Sequence, residues 1–440
     1  QAALSSAADA DADADADEAG SGLSKRLAQA RANTHGDVDI AEEAASCGSN
    51  WTDPEFPHDD SSLFVTGIAP ADWLRDGERG KVLRNVSVGW KRPYEFCMSR
   101  RPLGVSASSG NPTWLYDDKN SDLDENQTAQ DVQQGSTGDC YFLSALALAT
   151  RDTHACSDLI DDSMEEHGIY GVTFWYNGKW HMVYVDNCFP CYTSNDAHGA
   201  KPKPIYAKST SGKEIWPMVV EKAFAKLHGS YQAIGEGGLI AHALEALTGG
   251  HARTARANGL DWPKLKQAVV DPSCFVGAGT HNGLDEKLMN GIVGGHAYSI
   301  LQAIEVPPDD KGNEGVNLLL LRNPWGHGEW KGDWSDNSRL WDKRPDAVAA
   351  VGDKINVRDG DDGAFWISHD DFIQRYATVD FCRIKHGQLK ARNQIHKVEA
   401  KAVTGDDGND DDWLAGVGGA VGHENSHAST HKKKKKKKKH

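Results

Sequence analysis

Cys140 stands directly after a Gly135-Ser136-Thr137-Gly138-Asp139 turn and opens a run, Phe142 to Thr150, rich in Leu and Ala. A glycine turn leading into such a run predicts a buried helix that starts near Cys140. The unsatisfied amides at a helix N-terminus, with the positive end of its dipole, favour a thiolate there. A reactive thiol constrains a fold more than a thiol that only fills space. It needs a base to deprotonate it, a group to hold that base, and donors aimed at the oxyanion that develops during attack. Those groups have to converge on Cys140 from distant parts of the chain.

Each has a candidate. Gln134 lies across the glycine turn, where its side-chain amide and the Cys140 N–H would form an oxyanion hole. His296 follows Gly294-Gly295 and opens a strand-like run, Ala297 to Ala303. Asn323 closes the next one, Gly315 to Arg322, in Leu321-Arg322-Asn323-Pro324-Trp325-Gly326. An Asn oxygen accepting from one ring N–H fixes the histidine tautomer, and Trp325 would shield that bond from water. Taken singly, a Cys in an apolar helix is usually core, a His is usually a satisfied side chain, and Asn-Pro is commonly a turn. In the order Gln, Cys, His, Asn they reproduce the papain-type arrangement of a cysteine protease.

The remaining organisation suits that reading. Residues 1–48 are Ala, Ser and Asp rich and are read as a disordered acidic leader; 388–440, ending in Lys432 to Lys439, are read as a disordered tail. Between them, Glu214 to Leu227 and Ala241 to Leu247 carry helical spacing. Gly363 to Ile367 and Ala377 to Lys385 add to the strand-like runs. The fold class is therefore α+β. A helical, Cys-bearing subdomain is expected over 49–250 and a β-rich, His- and Asn-bearing one over 251–387, with the cleft between them.

The wording of the motifs resembles the calpain family. Gln133-Gln134-Gly135-Ser136-Thr137-Gly138-Asp139-Cys140-Tyr141-Phe142-Leu143 is similar to its cysteine box, Gly295-His296-Ala297-Tyr298-Ser299 to its histidine box, and Arg322-Asn323-Pro324-Trp325-Gly326 to its asparagine box. Asp53-Pro54-Glu55-Phe56-Pro57, Trp90-Lys91-Arg92-Pro93 and Glu221-Lys222-Ala223-Phe224-Ala225-Lys226 extend the likeness over about 51–386. The resemblance implies a split papain-like fold and one calcium ion in each subdomain, whose binding aligns the halves. It matches Asp131 and Glu221 to the side-chain ligands of the first site, and Glu329, Asp336 and Asp362 to those of the second. A further second-site glutamate is replaced by Ala364, which weakens a site for a hard cation. Tyr141 stands where calpains usually have Trp.

With a formal charge of -16, nucleic acid is excluded as the main partner, since a phosphate backbone calls for a basic face. No window approaches the roughly 18 to 20 apolar residues that span a bilayer, so a cytoplasmic protein is expected, with Lys432 to Lys439 a weak contact for anionic surfaces. No 12-residue EF-hand loop is found, and no conventional small subunit is expected. The eight cysteines are thinly spread and read as reduced thiols, including the pair in Cys188-Phe-Pro-Cys191. The function that follows is a calcium-dependent intracellular cysteine endopeptidase making limited cuts in protein substrates. Its rivals are an idle calpain-like scaffold and a transglutaminase-like acyl transferase.

Overall fold

The Leu- and Ala-rich run forms helix α1 (Cys140–Ala149), in which every residue after Cys140 is buried. A helix apolar on all sides has to be enclosed by protein, and the elements around α1 do so. The computed structural model describes residues 51–70, 86–97, 104–105, 112–113, 115, 129–151, 159–194, 201–283, 289–309, 312–352 and 360–384. The acidic leader and the lysine-ended tail lie outside the described residues.

Strands β1 (Val86–Lys91) and β2 (Val132–Gln133) precede α1, and β3 (Ile169–Tyr176) and β4 (Lys179–Asp186) follow it. β3 and β4 form an antiparallel hairpin across Asn177-Gly178. Both turn residues are left-handed, at φ 51° and 77°, as a two-residue hairpin loop that matches strand twist requires. β5 (Phe189–Ser194) pairs with β1, and β6 (Lys208–Ser209) with β2. Helices α2 (Trp216–His228) and α3 (Ile240–Thr248) then end at Gly229 and Gly249, whose φ of 98° and 67° closes each helix with a left-handed residue. The half expected to be helical therefore also contains extended antiparallel pairs. The overlooked signal is local: Asn177-Gly178 between runs rich in aromatic and β-branched residues.

After Gly250 the chain builds one large sheet. Its strands are β7 (His251–Arg256), β8 (Cys274–Thr280), β9 (Ala297–Val306), β10 (Val316–Arg322), β11 (Ala364–Ser368) and β12 (Tyr376–Arg383). They are antiparallel in the order β7-β12-β8-β9-β10-β11. Along β10, Leu319 and Leu321 enter one apolar core while Leu318 and Leu320 enter another on the opposite face, the two-residue alternation of a strand buried on both sides. A third core gathers α1, α2 and α3 and reaches across to Phe275, Ala297 and Cys382 of the sheet. Phe142 of α1 stacks on Phe224 of α2 with ring centroids 3.9 Å apart.

α2 also buries two lysines, and each is paired. The Lys226 ammonium donates to both carboxylate oxygens of Asp53, at 2.9 and 2.7 Å, and to the Tyr184 carbonyl. This anchors residues 51–56 to the helix. Removing one member of a buried pair strands the other charge. Lys226→Ala should cost about 3–5 kcal/mol of unfolding free energy in denaturant titrations, whereas breaking the exposed Lys266–Glu305 pair should leave the transition almost where it is.

Candidate active site

The glycine turn before Cys140 is shaped by close backbone approach. A Cβ on Gly135 would lie 2.2 Å from the Tyr206 carbonyl oxygen, and one on Gly138 would lie 2.3 Å from that of Gly235. No side chain fits at either position. The turn brings Gln134 back toward the helix start, where its Nε2 donates to the Thr137 carbonyl at 2.6 Å and keeps a second hydrogen. Its backbone N–H donates to the Pro324 carbonyl, and Gln133 Nε2 donates to that of Trp325. The cysteine-bearing turn and the Asn-Pro-Trp turn are thus joined directly.

His296 stands immediately before β9. Its backbone N–H donates to Thr280 Oγ1 and its carbonyl accepts from the Thr280 N–H, so it is clamped to the end of β8. Gly295 precedes it at φ 61°, with Asn282 so close that a Cβ would meet Oδ1 at 2.4 Å. The imidazole Nε2 lies 2.8 Å from Asn323 Oδ1, and the ring packs against Trp325 at 4.7 Å between centroids.

Asn323 is fully buried, and its amide orientation follows from its neighbours. Nδ2 donates to the carbonyls of His327 and Gly328, at 2.8 and 2.9 Å, which leaves Oδ1 to accept from Trp325 N–H and from the ring. Nε2 must therefore carry the ring hydrogen, and Nδ1 is the nitrogen left unprotonated.

Cys140 reaches the same place from the start of α1. Its sulfur rests on the backbone N–H of Ala297, the residue after His296. Ser144 Oγ donates to the Ala297 carbonyl and Ser299 Oγ to that of Ser144, which lock α1 onto β9. Burial pushes the Cys140 thiol up to about 11, with the Asp139 charge adding to it, and pushes His296 down to about 4 against the opposing Asn323 bond. Burial thus drives the thiol and the imidazole each toward its neutral form. All four sequence candidates, Gln134, Cys140, His296 and Asn323, meet around one junction.

A family model described as calpain family cysteine protease matches residues 51–383. The chain belongs to the calpain family. It is 36% identical over 354 residues to the calpain-type cysteine protease ADL1 of Oryza sativa subsp. japonica, covering 78% of this chain and 14% of that protein. It is 31% identical over 374 residues to calpain clp-1 of Caenorhabditis elegans, covering 80% of this chain and 40% of that one. The chain thus spans well under half the length of these two relatives. Among the described residues no helix is long and apolar enough to cross a membrane.

The acidic residues that the calpain resemblance assigns to calcium fall into different surroundings. Glu329, Asp361 and Asp362 gather on two facing loops. Glu329 accepts from the Gly363 N–H, Asp361 from that of Gly328, and Asp362 from that of Ala364. Burial and the charges of Asp362 and Asp361 push Glu329 up to about 7. That crowding of carboxylates is what a hard divalent cation relieves. Asp336 lies on the turn between left-handed Trp334 and Asn337.

Glu221 is placed differently from its assignment. It is fully buried, both its oxygens accept from the Ala207 N–H at 2.9 Å, and the one charge bearing on it is that of Asp139, not Asp131. A carboxylate facing inward from mid-helix is not offered to an ion beside Asp131. The acid on the Asp131 side is Glu214: the Thr210 N–H donates to the Asp131 carbonyl, and neighbouring Ser209, paired with Val132, donates to Glu214 at 2.8 Å. Sequence periodicity carries no signal for this, because it arises from the short β2–β6 pairing.

His58, Asp186 and Cys188 also come together with metal-like spacing. A cation already pairs with this cluster: the Lys222 ammonium donates to Asp186 Oδ1 at 2.7 Å and to the Cys188 carbonyl at 2.8 Å. The cluster is part of the buried ion-pair system of α2.

Between His296's native value near 4 and the unfolded value of 6.5, the unfolded chain binds a proton that the native chain does not. Stability from this group is complete above pH 6.5 and is lost as pH falls toward 4, by up to about 3 kcal/mol. His296→Gln should remove that slope from the pH dependence of the unfolding free energy.

Proposed function

We propose that this calpain-family chain is a cysteine endopeptidase that cuts protein substrates through an acyl-enzyme. Cys140 is the nucleophile, His296 the base, Asn323 its orienting partner, and Gln134 an oxyanion donor. The observation that carries this is the Asn323 amide, whose two committed hydrogens force its oxygen onto His296 Nε2 and leave Nδ1 for the Cys140 proton.

As Sγ attacks a peptide carbonyl, its proton passes to Nδ1, and the carbonyl oxygen becomes an oxyanion held by the Cys140 N–H and Gln134 Nε2. Imidazolium then protonates the departing amine. Water, deprotonated by His296, hydrolyses the thioester and restores the thiol. Trp325 covers the His296–Asn323 bond and excludes competing water.

Two calcium sites are part of the same reading. Asp131 with Glu214 would hold one ion, and Glu329 with Asp336 and Asp362 the other. Bound calcium would neutralise the acidic loops that flank Asn323. Its partners would be protein substrates met in the cytoplasm. An idle scaffold is disfavoured because the full bonding pattern around His296 is intact, and an acyl transferase is disfavoured because the orienting residue is an amide.

The test is cleavage of an unfolded protein by the full chain, titrated with calcium against chelator, beside Cys140→Ala. The expected result is calcium-dependent cleavage that the variant reduces at least about a thousandfold. Cleavage that survives Cys140→Ala would overturn the mechanism, and chelator-resistant cleavage would remove calcium from it.

A further inference from the structure

Asp139 lies between the glycine turn and Cys140, fully buried, and neither of its carboxyl oxygens meets an N–H or hydroxyl donor of another residue. Although it precedes the first residue of α1, its side chain makes no capping bond to that helix. It faces the carboxyl group of Glu221, fixed from the interior of α2 by the Ala207 N–H. The other ionisable groups around the two acids are the phenols of Tyr141, Tyr206 and Tyr231 and the Cys140 thiol. None of these is a cation. Lys222, next along α2, is turned instead to Asp186 and Cys188.

Two carboxylates in contact, away from water and without a cation, cannot both ionise. At least one proton stays with them, and it supplies the hydrogen bond that Asp139 otherwise lacks. The upward displacement of both carboxyls, Asp139 to about 7, is consistent with this.

We propose that Asp139 and Glu221 share a proton as a hydrogen-bonded carboxyl pair, and that Asp139 is a positioning residue which sets how much negative charge lies beside the Cys140 thiol. With the proton on Glu221, the charge sits on Asp139 and opposes the thiolate. With the proton on Asp139, the charge moves away to α2 and the helix N-terminus acts on sulfur unopposed. The pair also explains why the interior of α2 carries an acid that no lysine neutralises. This inference rests on Cys140 being the nucleophile.

The test is the pH dependence of Cys140 alkylation by iodoacetamide in the full chain, followed at the Cys140 peptide by mass spectrometry. In Asp139→Asn the new amide donates to Glu221 and holds the charge there, so the profile should move to lower pH by about half a unit or more. In Glu221→Gln the amide donates to Asp139 while its oxygen still accepts from Ala207, so the charge is pinned beside sulfur and the profile should move to higher pH. A purely structural role would lower thermal stability without opposed displacements, and shifts in the same direction, or none, overturn the proposal. Should a single variant fail to fold, infrared spectroscopy decides. The wild type should show a buried protonated-carboxyl band at neutral pH that the Asp139→Asn/Glu221→Gln double variant lacks, and a wild type without that band overturns the pair. Wild-type Cys140 alkylating no faster than buried Cys274 would instead sink the nucleophile assignment, leaving the infrared band to judge the pair.

Discussion

The reciprocal bonding between α1 and β9 is the interaction on which the rest depends. Ser144 donates to the Ala297 carbonyl, Ser299 returns a bond to the Ser144 carbonyl, and the Ala297 N–H meets the Cys140 sulfur. Each bond contributes about 1 kcal/mol net, so their importance is geometric. α1 lies within one apolar core, and β9 is an interior strand of the six-stranded sheet. The three contacts fix the start of α1 against the start of β9. The apolar cluster continuing from α1 into Phe275, Ala297 and Cys382 supports the same junction.

A second dependence runs through Asn323. Its backbone N–H donates to the Gly363 carbonyl, Gly363 in turn donates to Glu329, and its side chain donates to the carbonyls of His327 and Gly328. The residue that orients the imidazole is therefore built into the acidic loops. Arg322, one residue earlier and fully buried, donates to the carbonyls of Gln130 and Val132 and feels the charges of Asp131 and Asp362. Whatever changes the charge of those loops acts one or two hydrogen bonds from the His296–Asn323 pair. No long-range pathway is needed to connect them.

Which parts of this were readable from residues alone follows from the range of the forces involved. α1, α2 and α3 announce themselves because periodicity and terminal glycines are local, and the strands ending at Arg322 and Arg383 because β-branched and aromatic runs are. The Gln134, Cys140, His296 and Asn323 set was legible because each member sits in a distinctive local phrase. Glu221 was not: on a helix a carboxylate reads the same whether it turns to solvent or into the core, and only its meeting with Asp139 distinguishes them. The surroundings of Glu214 are equally silent in the sequence, since they are made by a two-residue strand pair. The hairpin of β3 and β4 was legible and overlooked.

Burial acts on the thiol and the imidazole in opposite numerical directions but with one physical meaning, because each is driven toward its neutral form. A bias toward the neutral forms does not make the two groups inert. The low dielectric that penalises a lone thiolate or a lone imidazolium also strengthens their mutual attraction once both exist. The charges are therefore favoured only together, and only while sulfur and ring stay aligned. This makes the small number of groups able to place an extra charge beside sulfur disproportionately important. Asp139 is the nearest of them in sequence, and Glu221 is the residue facing it.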